Sequence, residues 1–459
     1  MLQPKYAACG AARIQATNAG MAILIVSQPQ QKSCECKRTA LFLSLGIALM
    51  MHTSALWAKD RAEVAQEFKM QLTQKIMPYW YDTAIDKQYG GYVLSDDAAR
   101  KASPAKEKQL VSQARMIWGF SHAHLKGFSD SKRNYLKAAE QGYRFLLDHF
   151  LDRQHGGYYW TTDLSGKPLD QRKIVYGESF VIYGFIEYYR ASGDKTALKH
   201  AMELYQALQV NAHDETNGGW IEHFERNWTP ILDTQAQANV EVAGYKSANT
   251  HLHLMEALTE LCDTTHDARV RASLEEAVKI NRTWFYPEAP GQSAFHRQRD
   301  WKPVTAPSSA GLSYGHNVEF AWLMVRAEKV LGREPSWRHF DAHLDHALRY
   351  GYDHARGGLY SRGIDDQPAT DTDKIWWVQA EMLAALTDGL KHEPNPAYST
   401  ALDKLLGFIS AYQANPTDGI WLDTVTAEGK PKGTAKAHNW KANYHDVRAI
   451  VKFVDAFGS

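Results

Sequence analysis

The residues most able to do chemistry lie in one short stretch that runs from Asn249 to Glu256. In a helix, Asn249, His253 and Glu256 share one face because they stand at positions i, i+4 and i+7. A carboxylate near an imidazole can accept a hydrogen bond from one ring nitrogen, which leaves the other nitrogen free as a base. His251 and His253 diverge by about 200° on a helix, so they are poorly placed to ligate one metal ion. The stretch predicts a supported general base, and a histidine simply satisfied in a helical core is the alternative.

Further segments place polar and aromatic residues on single helical faces. Residues three, four or seven positions apart project the same way from a helix. The sets are Arg115, Trp118 and His122; His316, Glu319 and Trp322; Lys374, Trp377 and Glu381; and Lys441, His445 and Arg448. One such set arises easily by chance on a solvated helix. Several sets in register indicate one polar cavity with aromatic walls.

The segments that carry these residues recur at nearly even intervals. The markers Arg115, Glu178, His253, Glu319, Trp377 and His445 are separated by 63, 75, 66, 58 and 68 residues. Five segments follow a glycine turn beside an aromatic residue: Gly90-Gly91-Tyr92, Gly156-Gly157-Tyr158, Gly218-Gly219-Trp220, Gly357-Gly358-Leu359-Tyr360 and Asp418-Gly419-Ile420-Trp421. The fourth turn, around Pro290-Gly291, is degenerate. This period fits two helices with their loops, so we predict an all-α fold in which six helical hairpins close into an (α/α)6 barrel.

The outer helix of each hairpin is expected where apolar residues follow a helical period. These segments are 62–81, 132–150, 195–211, 268–285, 337–350 and 398–414. No Pro/Ser/Gly-rich linker follows the N-terminal segment, and roughly 400 residues can bury one large core. We therefore expect residues 59–459 to form a single catalytic barrel domain.

The overall composition narrows the expected partners. Lys+Arg and Asp+Glu both number 52, so the formal net charge is zero. This balance provides no electrostatic basis for binding nucleic acid or an anionic membrane. The 14 Trp and 23 Tyr carry flat rings with polar edges that suit sugar rings, although most are expected to pack in the core.

The first 58 residues are expected to be an N-terminal extension with a secretory signal peptide near residues 37–58. Lys37 and Arg38 precede an apolar run from Ala40 to Met51, and small residues follow it. The run is too short to span a bilayer, which needs about 20 residues, so a cleaved signal is favoured over an anchor. We expect export, to the periplasm, and no membrane association after cleavage. Of the four cysteines only Cys262 would remain, so no intramolecular disulfide is expected in the mature chain.

At these residues the chain resembles the N-acylglucosamine 2-epimerase superfamily, and within it the cellobiose 2-epimerases. The resemblance covers the whole chain after the N-terminal extension. The most specific pieces are Asn249-Thr-His-Leu-His253-Leu-Met-Glu256, Ser313-Tyr-Gly-His316-Asn-Val-Glu319, Lys374-Ile-Trp-Trp377-Val-Gln-Ala-Glu381 and Trp440-Lys-Ala-Asn-Tyr-His445. The acyl-glucosamine epimerases proper and the mannose isomerases resemble the first piece less well.

The resemblance implies a role for each candidate site residue. It makes His253 and His445 the acid/base pair, with Glu256 and Glu319 in support, and it places Arg115 against the reacting oxygens. It directs three tryptophans to the sugar rings, and four further residues are expected to bind substrate. These seven residues are Trp322, Trp377, Trp440, His316, Asn249, Glu178 and Tyr176.

Three departures from the family pattern bear on the preferred sugar. Between Trp440 and His445 the chain reads Lys-Ala-Asn-Tyr where a Lys-Cys-Pro-Tyr type of stretch is typical, and Asp446 follows where Asn is usual. Glu178 occupies a position where an amide or other neutral polar group is expected.

The implied activity is C2 epimerisation of the reducing-end residue of a β-1,4-linked disaccharide of the cellobiose or mannobiose type. The C2 proton becomes labile once the ring opens, because the carbanion is delocalised as a cis-enediolate. Inversion needs an acid and a base on opposite faces of this intermediate, and two imidazoles with pKa near 6.5 can act either way. Arg115 could stabilise the oxyanion. We expect no metal and no cofactor, since the chain has no strand-bounded dinucleotide fingerprint.

Other functions stay open at this stage. Within the superfamily they are an aldose-ketose isomerase of a mannose-type monosaccharide and an N-acylglucosamine 2-epimerase. A glycoside hydrolase would need two carboxylates flanking the bond, and no pair is as well placed by spacing as the two histidines. A sugar-binding protein would have no use for both histidines in supported positions. The expected partner is a small carbohydrate, and the protein is expected to be a monomer or homodimer.

Overall fold

Twelve helices, arranged as six antiparallel hairpins, make up most of the part of the chain that the structure describes. A computed structural model describes residues 60–98, 104–305 and 311–458. The predicted signal peptide lies outside the described residues, as do Cys9, Cys34 and Cys36. Among the described helices none is long and apolar enough to cross a membrane.

The outer helices carry one apolar stripe, whereas the inner helices are buried along most of their length. The outer helices are α1 (Arg61–Gln71, continued by Leu72–Ile76 and Met77–Ala84), α3 (Tyr135–Phe145, continued by Leu146–Phe150), α5 (Lys195–Asn211), α7 (Ala268–Ile280, continued by Asn281–Phe285), α9 (Trp337–His346, continued by Ala347–Gly351) and α11 (Pro396–Phe408, continued by Ile409–Gln413). The inner helices are α2 (Leu110–Leu125), α4 (Val175–Ser192), α6 (Ala248–Thr265), α8 (Tyr314–Val330), α10 (Trp376–His392) and α12 (His445–Phe457). The predicted (α/α)6 barrel is confirmed.

Short antiparallel strands connect neighbouring hairpins at the end where the inner helices begin. The pairs and triplets are β1 (Asp96–Asp97) with β14 (Ala435–Ala437); β2 (Glu107–Gln109), β3 (Thr161–Asp163) and β4 (Pro168–Asp170); β5 (Lys173–Ile174) with β6 (His223–Phe224); β7 (Lys246–Ser247) with β8 (His296–Arg297); β9 (Leu312–Ser313) with β10 (Arg362–Gly363); and β11 (Lys374–Ile375), β12 (Thr424–Val425) and β13 (Pro431–Gly433). The sequence pattern did not predict these strands. A strand directly precedes five of the inner helices, α2, α4, α6, α8 and α10.

The barrel closes between its first and last inner helices. Gly119 in α2 packs directly against Asn443, which precedes α12, and a Cβ atom at Gly119 would lie only 2.1 Å from the Asn443 carbonyl oxygen. Strand β1 also pairs with β14, so the first and last hairpins are joined at the mouth as well.

The opposite end of the barrel carries a network of ion pairs between inner helices. Arg190 of α4 contacts Glu260 at 2.7 Å and Asp263 at 3.0 Å, both from α6. Arg326 of α8 contacts the same two carboxylates at 3.0 and 2.8 Å. This network links three inner helices at the end away from the mouth.

Candidate active site

One helical position supplies much of the site. The sixth residue of five inner helices points to the barrel axis, because strands β2, β5, β7, β9 and β11 start these helices in the same register. The five residues are Arg115, Phe180, His253, Glu319 and Glu381. The sixth helix, α12, contributes His445 and Arg448 from its first turn. The structure thus brings together the two predicted bases and most of their predicted neighbours.

His253 is held by the carboxylate predicted to support it. Its Nδ1 atom lies 2.9 Å from Glu256 Oε2 one turn along α6. The Tyr176 and Phe180 rings lie beside the imidazole, with centroids at 5.4 and 4.8 Å. Burial lowers the pKa of His253 although Glu256 opposes this shift, so the imidazole is neutral at neutral pH. An Nδ1–H donor to Glu256 leaves the Nε2 lone pair available as a base.

His445 has the same arrangement with a different partner. Its Nδ1 atom lies 2.6 Å from Glu381 Oε1, which α10 contributes. The other Glu381 oxygen accepts a hydrogen bond from Trp322 Nε1 at 2.9 Å. Burial lowers the pKa of His445 to about 3, so this imidazole is also neutral, with Nε2 free. Among the described residues, no hydrogen bond is formed to Nε2 of His253 or of His445.

Arg448 connects the two histidine–glutamate pairs. Its Nη1 donates to Glu256 Oε1, and its Nη2 donates to Glu381 Oε1 at 2.8 Å. Burial disfavours ionised glutamates here, but the guanidinium holds the pKa of Glu256 and of Glu381 at about 2. Both carboxylates are therefore ionised, as acceptors for the two imidazoles must be. The guanidinium also lies over the Trp322 ring, 4.7 Å from its centroid.

Glu319 has a different place from the supporting role expected of it. It is fully buried, and its Oε1 accepts from Arg448 Nη2 at 3.0 Å rather than from an imidazole. Its Oε2 has no hydrogen-bond partner among the described residues. Burial and the neighbouring Glu381 raise the pKa of Glu319 well above its ordinary value. Glu319 is thus a buried neighbour of Arg448, and Glu381 supports His445 in its place.

Arg115 lies between two of the predicted substrate-binding residues. Its Nη2 donates to the Tyr176 hydroxyl at 3.0 Å, and its Nη1 donates to the Trp440 carbonyl at 3.2 Å. The guanidinium lies over the Phe180 ring at 4.3 Å. Arg115 thereby presents fixed donors beside His253, as an oxyanion-stabilising group requires.

Aromatic rings and amides form the outer wall of the site. The half-buried Trp377 ring lies 5.8 Å from His445 and 4.7 Å from His316, measured between centroids. His316 Nε2 lies 3.3 Å from Asn249 Oδ1, and its Nδ1 lies 2.8 Å from Ser313 Oγ. Burial and the positive charge of Arg362 lower the pKa of His316 well below its ordinary value. A third imidazole therefore belongs to the same cavity.

Trp440 continues this wall toward the barrel mouth. It is half-buried, 6.2 Å from Trp160 and 6.3 Å from Tyr176 between ring centroids. A polar groove of about 690 Å³ begins there and is bounded by Trp160, Trp440, Asp170 and Asn239. The indole rings are thus placed where a sugar entering through the mouth would pass.

Glu178 does not join the other predicted site residues. It is the fourth residue of α4, two positions before Phe180, and points away from the axis. Its Oε1 accepts a hydrogen bond from the backbone N–H of Tyr158 in the second glycine turn, at 2.8 Å. Phe180 is the residue of α4 that is in register with Arg115 and His253.

Two other predicted sets are divided by helix boundaries. Helix α10 begins at Trp376, so Lys374 lies before it, where its Nζ contacts Asp353 at 2.8 Å. Helix α12 begins at His445, so Lys441 lies in the preceding turn. The shared helical faces inferred for these two lysines are wrong, because each strand or turn before the helix changes the direction of the side chain.

Glu241 is a site residue that sequence spacing did not find. Its carboxylate accepts from Asn249 Nδ2 at 2.8 Å and lies 3.0 Å from His296 Nε2. It lies on the loop before β7 with φ of +56°, in the left-handed region. An irregular loop has no period from which its position could be read. Arg448 and Glu381 did carry a signal, since each shared a predicted helical face with a chosen residue.

One acidic cluster in the site has ligand types suited to a metal ion. Single ligand atoms of Glu319, Glu381 and His445 lie within 4.8 Å of one another. Arg448 already donates to both of these carboxylates, so its guanidinium provides the positive charge that a cation would otherwise supply. A metal ion bound there would have to displace or repel Arg448.

The residues from 90 to 449 match the family model for N-acylglucosamine 2-epimerase (GlcNAc 2-epimerase). The chain belongs to this family. It is similar to the cellobiose 2-epimerase of Bacteroides fragilis, with 29% identity over 85% of this chain and 98% of the relative. It is also similar to the D-mannose isomerase of Marinomonas mediterranea, with 25% identity over 82% and 93% of the two chains. The solved cellobiose 2-epimerase of Spirochaeta thermophila is 31% identical, has a TM-score of 0.78, and aligns over 86% of this chain and 97% of its own.

Proposed function

We propose that this member of the family inverts the configuration at C2 of the reducing-end sugar of a β-1,4-linked disaccharide, of the cellobiose or mannobiose type. The observation that carries the proposal is the pair His253 and His445. These imidazoles come from different inner helices, each oriented through Nδ1 by an ionised carboxylate. Similarity to cellobiose 2-epimerases over most of the chain supports the choice of a disaccharide.

The proposed reaction starts from the open-chain aldehyde form of the sugar. One imidazole takes the C2 proton through Nε2, and the electron pair moves through C1 to the aldehyde oxygen, which gives the enediolate. The other imidazole, neutral in the free protein, takes up a proton once the sugar is bound and returns it to C2 from the opposite face, and the electrons return from the oxygen to re-form the aldehyde. Arg115 lies beside His253, where its fixed N–H donors can stabilise the negative charge on oxygen. Ring closure then gives the C2 epimer.

The aromatic side chains fit the second sugar unit. Trp440 and Trp377 are half-buried, in contrast to the buried Trp322. Flat indole faces at the mouth suit the apolar faces of pyranose rings. The groove beside Trp440 gives a place for the residue beyond the reacting sugar.

A second candidate function is aldose-ketose isomerisation of a mannose-type sugar. Similarity to D-mannose isomerases favours this candidate. In that reaction one imidazole carries the proton from C2 to C1, so a second base is not needed. The third imidazole, His316, matters for this choice because it could replace His253 as the partner of His445. Variants H253A, H316A and H445A, each assayed separately, show which of these three imidazoles the reaction needs.

The test of the proposal is incubation of the purified protein with cellobiose, mannobiose, mannose and N-acetylglucosamine in D₂O, followed by NMR. An epimerase that exchanges protons with solvent gives the C2 epimer of the disaccharide, labelled at C2, with no change in the number of reducing ends. Ketose from free mannose as the sole product would assign the isomerase function instead. Release of glucose from cellobiose would contradict both and indicate a hydrolase.

We also propose export by the N-terminal segment and a monomeric or dimeric state. Residues 37–58 carry the basic, apolar and small-residue order of a cleaved signal. N-terminal sequencing of the protein from the periplasmic fraction tests the first point. A cytoplasmic protein that retains residues 37–58 would contradict the proposed export. Sedimentation analysis tests the proposed monomeric or dimeric state.

A further inference from the structure

A common contact joins the glycine turn of several hairpins to the inner helix that follows. In the first hairpin, the Tyr92 N–H donates to Gln113 Oε1 at 2.8 Å, and Gln113 Nε2 donates to the Tyr92 carbonyl at 2.9 Å. In the fifth hairpin, Leu359 and Gln379 make the same two hydrogen bonds, both at 2.8 Å. Each glutamine is the fourth residue of its inner helix. One amide side chain therefore satisfies both backbone groups of the turn residue.

The second glycine of each turn makes this contact possible. A Cβ atom at Gly91 would lie 2.8 Å from Gln113 Oε1, and one at Gly358 would lie 3.0 Å from Gln379 Oε1. Gly157 stands in the same relation to Glu178 Oε1, at 2.9 Å. Glu178 is therefore the equivalent of the two glutamines in the second hairpin.

Glu178 makes only half of this contact. Its Oε1 accepts from the Tyr158 N–H at 2.8 Å, as the glutamine oxygens do. Its Oε2 is fully buried and has no hydrogen-bond partner among the described residues. This oxygen stands where a glutamine has its amide nitrogen. A proton on Oε2 would supply the missing donor to the turn carbonyl.

The charged groups around Glu178 do not satisfy its second oxygen. The nearest cation, Lys173 of β5, instead pairs with Asp152 at 3.3 Å and lies over the Tyr159 ring. Arg226 contacts the same aspartate at 2.8 Å. Burial raises the pKa of Glu178 to about 7, with Lys173 opposing the shift and Asp152 adding to it.

The first turns of α4 connect this contact to the candidate active site. Tyr176, two residues before Glu178, accepts from Arg115 at 3.0 Å, and its ring lies beside His253. Phe180, two residues after, lies between Arg115 and His253. Movement of this helical turn would displace both aromatic rings.

We propose that Glu178 is a positioning residue whose protonated form ties the second glycine turn to α4, and so holds Tyr176 and Phe180 against the active-site arginine and histidine. Its carboxylate form keeps only one of the two hydrogen bonds. The contact is complete in acid and weakened in base, which makes it a pH-sensitive element within the barrel. Its effect on activity rests on the proposed function, whereas its effect on stability does not.

The direction of the effect follows from proton linkage. The pKa of Glu178 is higher in the folded protein, at about 7, than the value of 4.5 expected in the unfolded chain. Its stabilising contribution is therefore fully present below pH 4.5 and is lost as the pH rises through 7. A glutamine at this position provides the same donor at every pH.

The experiment compares the full-length protein with E178Q by thermal denaturation at pH 5.5, 7.0 and 8.5. We expect the Tm of E178Q to exceed that of the wild type by about 2 °C more at pH 8.5 than at pH 5.5. The reciprocal variants Q113E and Q379E carry the glutamate to the first and fifth hairpins. At pH 8.5 the Tm of each variant should show a decrease that the wild type lacks at that hairpin.

Activity gives the second readout. With the sugar that the D₂O experiment identifies, kcat/KM of the wild type should fall more steeply than that of E178Q between pH 7 and 8.5. A Tm difference that does not change with pH, or a lower Tm for E178Q at every pH, would overturn the proposal. Failure to find any sugar activity would refute the proposed function and leave the Tm comparison as a complete test.

Discussion

Replacement of Arg448 by Met should remove the group that holds both candidate bases in place. The side chain is 7% exposed, and its guanidinium contacts Glu256, Glu319 and Glu381. Its loss leaves two ionised carboxylates buried without a countercharge. Removal of one partner of a buried ion pair costs about 3–5 kcal/mol. With an unfolding entropy of about 2.1 cal/mol/K per residue over about 400 residues, 4 kcal/mol lowers Tm by about 5 °C.

The same change should reduce catalysis beyond its effect on folding. Without the guanidinium the pKa of Glu256 and of Glu381 should rise, and a protonated carboxyl group can donate to the imidazole Nδ1 instead of accepting from Nδ1–H. His253 and His445 are then no longer held in the tautomer that has a proton on Nδ1 and a free Nε2. Since a positioned base contributes on the order of 10²- to 10⁴-fold, we expect a loss of at least 10²-fold in kcat, measured well below the Tm of the variant. R448K should retain the positive charge but not the two-sided contact, and give an intermediate rate.

Arg190 provides a matched control for this experiment. Its guanidinium also contacts three carboxylates, at the opposite end of the barrel, with the side chain 26% exposed. R190M should lower Tm by less than R448M and leave kcat unchanged. The reasoning is refuted if R448M folds and keeps the wild-type kcat, or if R190M reduces kcat as much as R448M does.

Three further outcomes are expected. H253A and H445A should each reduce turnover by about 10²- to 10⁴-fold. H251A, whose imidazole accepts from a turn N–H outside the cavity, should mainly reduce Tm. Near-normal turnover in H253A or H445A would show that the replaced histidine is not an acid/base residue. Burial lowers the pKa of His343 and His445 to about 3, below the value of about 6.5 in the unfolded chain, so their contribution to stability is full above pH 6.5 and is lost as the pH falls. The Tm of E178Q should therefore decrease from pH 6.5 to 4.5. An increase in Tm over this range would contradict the lowered pKa of these two histidines. Activity should survive dialysis against a chelator because a guanidinium already balances the buried carboxylates, and activity lost and then restored by one divalent ion would show that a metal takes part.

The sequence alone determined the family, the hairpin count and the two candidate bases. The glycine turns recur because positive-φ glycines such as Gly91 and Gly157 are needed wherever a side chain of the inner helix approaches the turn. The hydrophobic period of the outer helices reflects burial on one side only, which is a local property of the chain. His253 and Glu256 are one helical turn apart, so their contact could also be predicted from spacing.

Only the tertiary structure decided which residues share the cavity. His445 is held by Glu381 and not by Glu319, because its imidazole meets a side chain from a different helix, α10, and no spacing within one segment contains that information. The inner helices are buried on every side, so their sequences do not distinguish the axial position from the position that contacts the turn. Glu178 was predicted from the family resemblance to bind substrate, although the fourth residue of its helix points to the turn and the sixth, Phe180, points to the axis. Glu241 lies on an irregular loop, and its contact with Asn249 exists only because the fold brings the two together.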